Sequence, residues 1–208
     1  MVFALAATSC LILSGVGDSE ASVIAPKASA SESGRYIGSS CMEILTIQPF
    51  LQYFGNSRER TLRVARCIPP DKIDWTYAAG KFTLGDLLRH LAVTERYMWA
   101  ENVQNHPSGY TTHGKEVADG LENIFALMER LHSEAMEIFS KLTDEDLRRK
   151  CTTPGGTDIT TWKWLRAMTE HEAHHRGQIY LYLSILGVET PPIFGLTSEQ
   201  VRARGNAT

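Results

Sequence analysis

Three of the seven histidines crowd into Glu170-His171-Glu172-Ala173-His174-His175-Arg176-Gly177-Gln178. Side chains four apart on a helix share a face one turn apart, so His171 and His175 can each aim a ring nitrogen at one cation about 2.0–2.1 Å away. His174, three residues from His171, lies near the same face, and spacing alone leaves the pairs 171/175 and 171/174 both open. One helix supplies a chelating pair, whereas protein metals are usually held by at least three side chains, so a third ligand must come from another element. His90, in Leu87-Leu88-Arg89-His90-Leu91-Ala92, is the candidate. A single histidine on an apolar stripe is ordinarily a core side chain; its companions near residue 171 give this one a second reading.

The zinc-protease string His-Glu-x-x-His begins at His171-Glu172. Counted to His174 it is one residue short, and the protease reading is set aside on that spacing. Glu170 and Glu172 flank His171 but splay by about 100° around a helix, so neither shares its direction. Gln178 lies one turn from His174 and His175, within reach of an imidazole. Arg176 is read as a solvent-facing salt-bridge residue, with an anionic substrate as the alternative. Asp86, one turn before His90, suits a helix cap better than a place beside the site; Thr94, one turn after His90, can also lie beside it. Trp75, Tyr97, Trp99, Trp162 and Trp164 are read first as core and second as a pocket lining. His106, His113 and His132 are read as loop or surface residues.

Helical periodicity must position these groups. It sets in after Ile44 and is punctuated where four helices would end. The first runs from about Ile47 to Cys67 on a stripe of Phe50, Leu51, Phe54, Leu62 and Ala65, stopped by Pro69-Pro70. Thr83, with Asp86 three residues on, caps a second helix from Leu84 to about Asn105. A third spans roughly Val117 to Leu142. Cys151–Ile159, with Pro154-Gly155-Gly156, forms a tight loop or hairpin. Thr160 or Thr161 caps a fourth helix reaching Leu186, with Gly187 at the position after its end. Pro191-Pro192 and a small turn begun by Ser198 finish the chain. The expected fold is all-α, an antiparallel four-helix bundle with long connections between helices 2 and 3 and between helices 3 and 4.

Composition agrees with one globular domain and a tail: 208 residues, 43% hydrophobic and 22% charged. A chain of this length buries roughly 70% of its unfolded surface and needs no structural metal to fold, so a metal site would serve chemistry. With 21 basic against 24 acidic residues, net −3, the basic excess of a nucleic-acid binder is missing. Cys10, Cys41, Cys67 and Cys151 form no C-x-x-C pair and are read as free thiols. Residues 1–41 are rich in Ser and small side chains. The apolar run Val2–Val16 lacks a preceding cation and is short of the roughly 20 residues needed to span a bilayer. The first reading is a misplaced start or disordered tail, with Met42 opening the domain 42–208; an export signal is the second. The expected location is cytoplasmic, without a membrane partner.

Taken together, Leu87-Leu88-Arg89-His90-Leu91 on the second helix and His171-x-x-His174-His175-Arg176-Gly177-Gln178 on the fourth resemble the DinB-like, or DinB/YfiT-like, superfamily of metal-dependent enzymes. Lys81-Phe82-Thr83-Leu84-Gly85 and the closing Pro191-Pro192-Ile193-Phe194-Gly195-Leu196-Thr197 are similar to its pattern too, and the likeness covers about Thr46 to Ala203. It implies a divalent metal held by His90, His171 and His175, with water at the open positions and His174 as a neighbour. Zinc is the first expectation, with nickel, manganese or iron as alternatives, since imidazole suits several of these metals. It implies a small-molecule substrate, and a low-molecular-weight thiol such as bacillithiol or mycothiol as a co-substrate in some members; a homodimer is a further expectation. Three neutral imidazoles would leave the metal its full charge and room for chemistry, favouring ionisation of a bound water or thiol. The leading expectation is a hydrolase or thiol transferase. A non-catalytic metal-binding stress-response bundle and a purely structural bundle are the competing ones.

Overall fold

The structure is a computed structural model and describes residues 43–206. The expectations for residues 1–41, and for Cys10 and Cys41, lie outside the described residues. Four long helices carry the fold: α1 (Ile47–Ala65), α2 (Leu84–Thr94), α3 (Leu121–Ser140) and α4 (Thr161–Ile185), with a short α5 (Ser198–Gly205) after them. A two-stranded antiparallel hairpin, β1 (Lys150–Thr152) and β2 (Asp158–Thr160), precedes α4, pairing Lys150 with Thr160, Cys151 with Ile159 and Thr152 with Asp158. Helix α2 packs on α3 and α4, and α1 packs on α4 and α3.

Local chemistry explains most boundaries. The Thr83 hydroxyl accepts from the Asp86 N–H at 3.0 Å while the Asp86 carboxylate accepts from the Thr83 N–H at 2.9 Å, closing the capping box that starts α2. Past Thr94 the helix widens into a π-helical stretch, Glu95–Trp99, and resumes for one turn at Ala100–Asn102. It stops short of the expected Asn105, which instead adopts φ +61°, a conformation asparagine tolerates better than most residues. Helix α3 begins at Leu121 rather than Val117 because Gly120, with φ +80°, turns the chain out of the helical region. Thr160 is the residue before α4, but its side chain makes no cap bond; the Thr161 N–H and hydroxyl are satisfied by the Arg149 carbonyl, at 2.8 and 2.9 Å. At the other end, Gly187 (φ +70°) donates to Ser184 O and Val188 to Leu183 O, the two bonds of a Schellman motif.

Two expectations need amending. The connection Arg66–Thr83 is as long as Val103–Gly120, with a 3₁₀ turn at Pro70–Lys72, so the first connection joins the other two as a long one. On α1, Leu62 is only half-buried, and Ser57, Arg58 and Thr61 are buried in its place.

That substitution reflects how the core is divided. One apolar cluster gathers Val64 and Ala65 of α1, Leu84–Val93 residues of α2, Ile124–Leu131 residues of α3, and Ile179, Tyr182 and Leu183 of α4. A second gathers Phe50 and Phe54, Trp99 and Ala100, Ala135 and Phe139, and Leu165 and Met168. On each helix the polar positions fall between the two: Ser57, Arg58 and Thr61; Thr94 and Glu95; His132; and Thr169 to Arg176. The bundle therefore carries a polar layer at its waist, and the candidate site belongs to it. Among the described residues Cys67 and Cys151 are free thiols, and burial pushes the Cys151 thiol up from its ordinary range. No helix among the described residues is long and apolar enough to cross a membrane.

Candidate metal centre

His90 stands at the middle of α2, and the i, i+4 spacing of His171 and His175 on α4 puts both on the face that meets it. The three rings converge. His90 Nε2 lies 3.1 Å from His171 Nε2, and His175 Nε2 lies 3.0 Å from the same atom. The ring centroids are 5.1 Å apart for 90/171, 4.8 Å for 90/175 and 4.4 Å for 171/175. His174 is exposed, with its ring against His175 at 4.9 Å, outside the convergence. The structure thus brings together the pair 171/175 and leaves 171/174 apart.

Two of the rings have a partner on their far side, and for His175 that partner sets the tautomer. His175 Nδ1 lies 2.7 Å from Gln178 Oε1, an acceptor only, so Nδ1 carries the proton and the Nε2 lone pair faces the cluster. His90 Nδ1 lies 3.3 Å from the Tyr110 hydroxyl. Burial, aided by the neighbouring rings and opposed at His175 by the Gln178 hydrogen bond, pushes the imidazoles far below their ordinary pKa: His90 to about 3, His171 to about 2 and His175 to about 4. All three are therefore neutral at physiological pH, which is the protonation state a metal ligand needs.

These donors suit a cation. Two ligands about 2.0–2.1 Å from one tetrahedral ion sit about 3.3 Å apart, close to the separations here, and among the described residues His90, His171 and His175 are the one group of three side chains placed to hold a metal. Three nitrogen donors from two helices leave further coordination positions for a small molecule.

Beside them lies a buried ionic cluster that the sequence reading missed. Arg58 pairs with Glu95, and its Nη2 is 3.2 Å from Glu172 Oε2; the three side chains are 3%, 2% and 2% exposed. His132, expected at the surface, sits 2.7 Å from Glu95 Oε1. The neighbouring carboxylates hold the Arg58 guanidinium above its ordinary pKa despite the opposing effect of burial. Counted to His175, His-Glu-x-x-His is complete, so spacing does not exclude a protease; the position of Glu172 does. Its carboxylate is buried against Arg58, committed to the bundle waist instead of being free to act as a base. Arg176 is likewise no solvent-facing residue: it is buried and donates to Ser57 O, Ser57 Oγ and Thr61 Oγ1 at 3.1, 3.2 and 3.4 Å.

The remaining expectations divide. Asp86 caps α2 and also accepts from Arg89 Nη2 at 2.7 Å. The Thr94 hydroxyl is turned back onto the His90 carbonyl at 2.6 Å. Trp99 packs 5.8 Å from the His171 ring and 4.0 Å from Trp164, whereas Trp75 packs on Tyr182. His106 stays exposed beside Glu101. His113, expected to be incidental, sits 5.4 Å from the His90 ring.

A chain with this helical fold and this histidine cluster belongs to the DinB superfamily, which residues 53–179 match. YjoA of Bacillus subtilis (strain 168) is 23% identical over 146 residues, 69% of this chain and 93% of YjoA. Its solved structure, a DinB-like protein, aligns with a TM-score of 0.57, covering 72% of this chain and all of that one. A DinB-like protein from Bacillus cereus ATCC 10987 aligns with a TM-score of 0.63 at 22% identity, over 72% of this chain and 99% of its own. YfiT from Bacillus subtilis, a probable metal-dependent hydrolase with an unusual four-helix bundle topology, aligns at 0.56 and 17% identity, over 79% and 95%. At these identities the solved structures establish the shared fold.

Proposed function

We propose that this protein is a metal-dependent enzyme acting on a small molecule, with His90, His171 and His175 holding one divalent cation on an antiparallel four-helix bundle. The convergence of three neutral Nε2 atoms at the bundle waist carries this reading. A cation bound there supplies Lewis acidity and draws the pKa of a coordinated water or thiol toward neutrality. The chain's own part is to hold three imidazoles neutral, to orient His175 through Gln178 and His90 through Tyr110, and to pack Trp99 against the His171 ring. Zinc is the metal proposed, and the reaction class is hydrolysis or transfer of a low-molecular-weight thiol to an electrophile. The metal-dependent character ascribed to YfiT agrees with it.

The test is turnover. The metal-loaded full chain is offered activated esters and amides, then electrophiles with each candidate thiol, and the same assays follow chelation. Metal-dependent turnover that disappears on chelation is expected. A fully loaded protein that turns over none of them supports a non-catalytic metal-binding bundle instead.

A further inference from the structure

The connection Val103–Gly120 contributes two side chains at the back of His90. The Tyr110 hydroxyl lies 3.3 Å from His90 Nδ1 and 2.6 Å from His113 Nδ1. Phe82 wedges beside both imidazoles, its ring 5.4 Å from His90 and 4.4 Å from His113. The segment is pinned by the residue preceding His90. Arg89, 1% exposed, donates Nε to His113 O at 2.8 Å and Nη1 to Ala118 O at 3.0 Å, while Nη2 pairs with Asp86. One turn of α2 thus presents His90 to the cluster and, through Arg89, fixes the connection that meets the other side of the His90 ring.

A phenol has one hydrogen, and here it stands between two imidazole nitrogens. If it goes to His113, the shorter contact, the phenol oxygen can only accept from His90, which favours the Nδ1–H form there and leaves the Nε2 lone pair facing His171 and His175. If it goes to His90, the proton of that ring moves to Nε2 and blocks the ligand position. We propose that Tyr110 and His113 are positioning residues: His113 draws the Tyr110 hydrogen away, and Tyr110 thereby holds His90 in the Nδ1–H tautomer with Nε2 free for a metal. This rests on the metal-centre reading above. The arrangement is a ligand histidine held by an outer hydrogen-bonded pair, a class of contact whose loss costs metal sites roughly 10–100-fold in affinity.

The experiment uses the ¹⁵N-labelled full chain, with and without zinc, and two readouts: the His90 tautomer from long-range ¹H–¹⁵N correlation spectra, and zinc affinity by competition with a chromophoric chelator. Wild type is expected in the Nδ1–H form. In His113→Leu, Tyr110 keeps its hydroxyl but loses the His113 acceptor, and the phenol is expected to turn toward His90 and the Nε2–H form to rise, with zinc affinity lower by roughly 10–100-fold. Tyr110→Phe is expected to lose affinity in the same range, with a mixed tautomer; should Tyr110→Phe fail to fold, His113→Leu decides alone. An Nε2–H wild type, or a His113→Leu variant with the wild-type tautomer and zinc affinity within about twofold, overturns the proposal. His90→Ala is the separating control. Zinc retained there overturns the metal-centre reading and this proposal with it; zinc lost there but unchanged in His113→Leu overturns the positioning role only.

Discussion

His90 and His171, 81 residues apart in the chain, place their Nε2 atoms 3.1 Å from one another. Two partly buried ring nitrogens that close are an unfavourable arrangement unless one donates to the other or both face a cation. The cost is met by packing: Leu87, Leu88 and Leu91 around His90, and Ile179, Tyr182 and Leu183 beyond His175, all belong to one apolar cluster. The helices are held by that cluster, and the histidines are held by the helices.

Mild acid should weaken the metal-free protein. An unfolded histidine has a pKa of about 6.5, whereas the folded values for His90, His171 and His175 are about 3, 2 and 4. Between those limits the unfolded chain binds protons that the folded chain refuses. This contribution is therefore complete above about pH 6.5 and is lost progressively as pH falls through the window toward 4. Thermal melting of the metal-free protein from pH 7.5 to 4.5 should show a falling midpoint, with a shallower fall in His171→Leu. A flat profile from pH 7 to 5 would contradict neutral burial of the three rings.

His174 is the internal control for the chelating pair. It is exposed and outside the convergence, so His174→Ala should leave zinc affinity within about twofold of wild type, while His175→Ala loses at least the roughly 10-fold expected even for an outer-shell partner. Calorimetric titration of both variants with zinc distinguishes the pairs 171/175 and 171/174.

Arg58 stands between two buried carboxylates, Glu95 and Glu172. Removing one side of a buried ion pair strands the charge opposite it, at a cost of about 3–5 kcal/mol. Arg58→Ala should fall in that range by urea unfolding. Equal stability of Arg58→Ala and wild type would remove the cluster's structural role.

Gly85 makes room for Arg89. A Cβ there would stand 3.0 Å from Arg89 Nη1 and 3.1 Å from the Ile73 carbonyl, and neither can retreat, since Arg89 is fully buried and Ile73 O accepts from the Gly85 N–H at 2.7 Å. Overpacking of this kind costs about 1–3 kcal/mol, more than the up to about 1 kcal/mol of helix propensity that alanine brings. Gly85→Ala should lower the melting temperature, and a rise would show that propensity wins.

Much of this was legible in the residues. A chelating histidine pair needs only one helix, although spacing leaves 171/175 and 171/174 both open, and Thr83/Asp86 and Gly187 mark helix ends by chemistry local to a few residues, so these could be read along the chain. His90 required a partner on another helix and was reached through its neighbours in sequence. What stayed hidden depends on contacts between elements. Arg58, Glu95 and Glu172 are each an ordinary charged residue in sequence, and only packing reveals that they share one buried point. Arg176 looked solvent-facing because nothing near it in sequence announces Ser57 and Thr61. His113 sits in a connection without periodicity, where the sequence carries no signal of what it faces; the Arg89 beside His90, a charge on an apolar stripe, was the one clue that something polar had to meet it.

Metal content of the purified chain tests the central claim most directly. Elemental analysis of wild type after zinc loading and desalting, with His90→Ala and His171→Ala treated identically and shown folded by circular dichroism, should give about one zinc per chain in wild type and a large loss in both variants. Full occupancy in both variants would contradict the three-histidine centre.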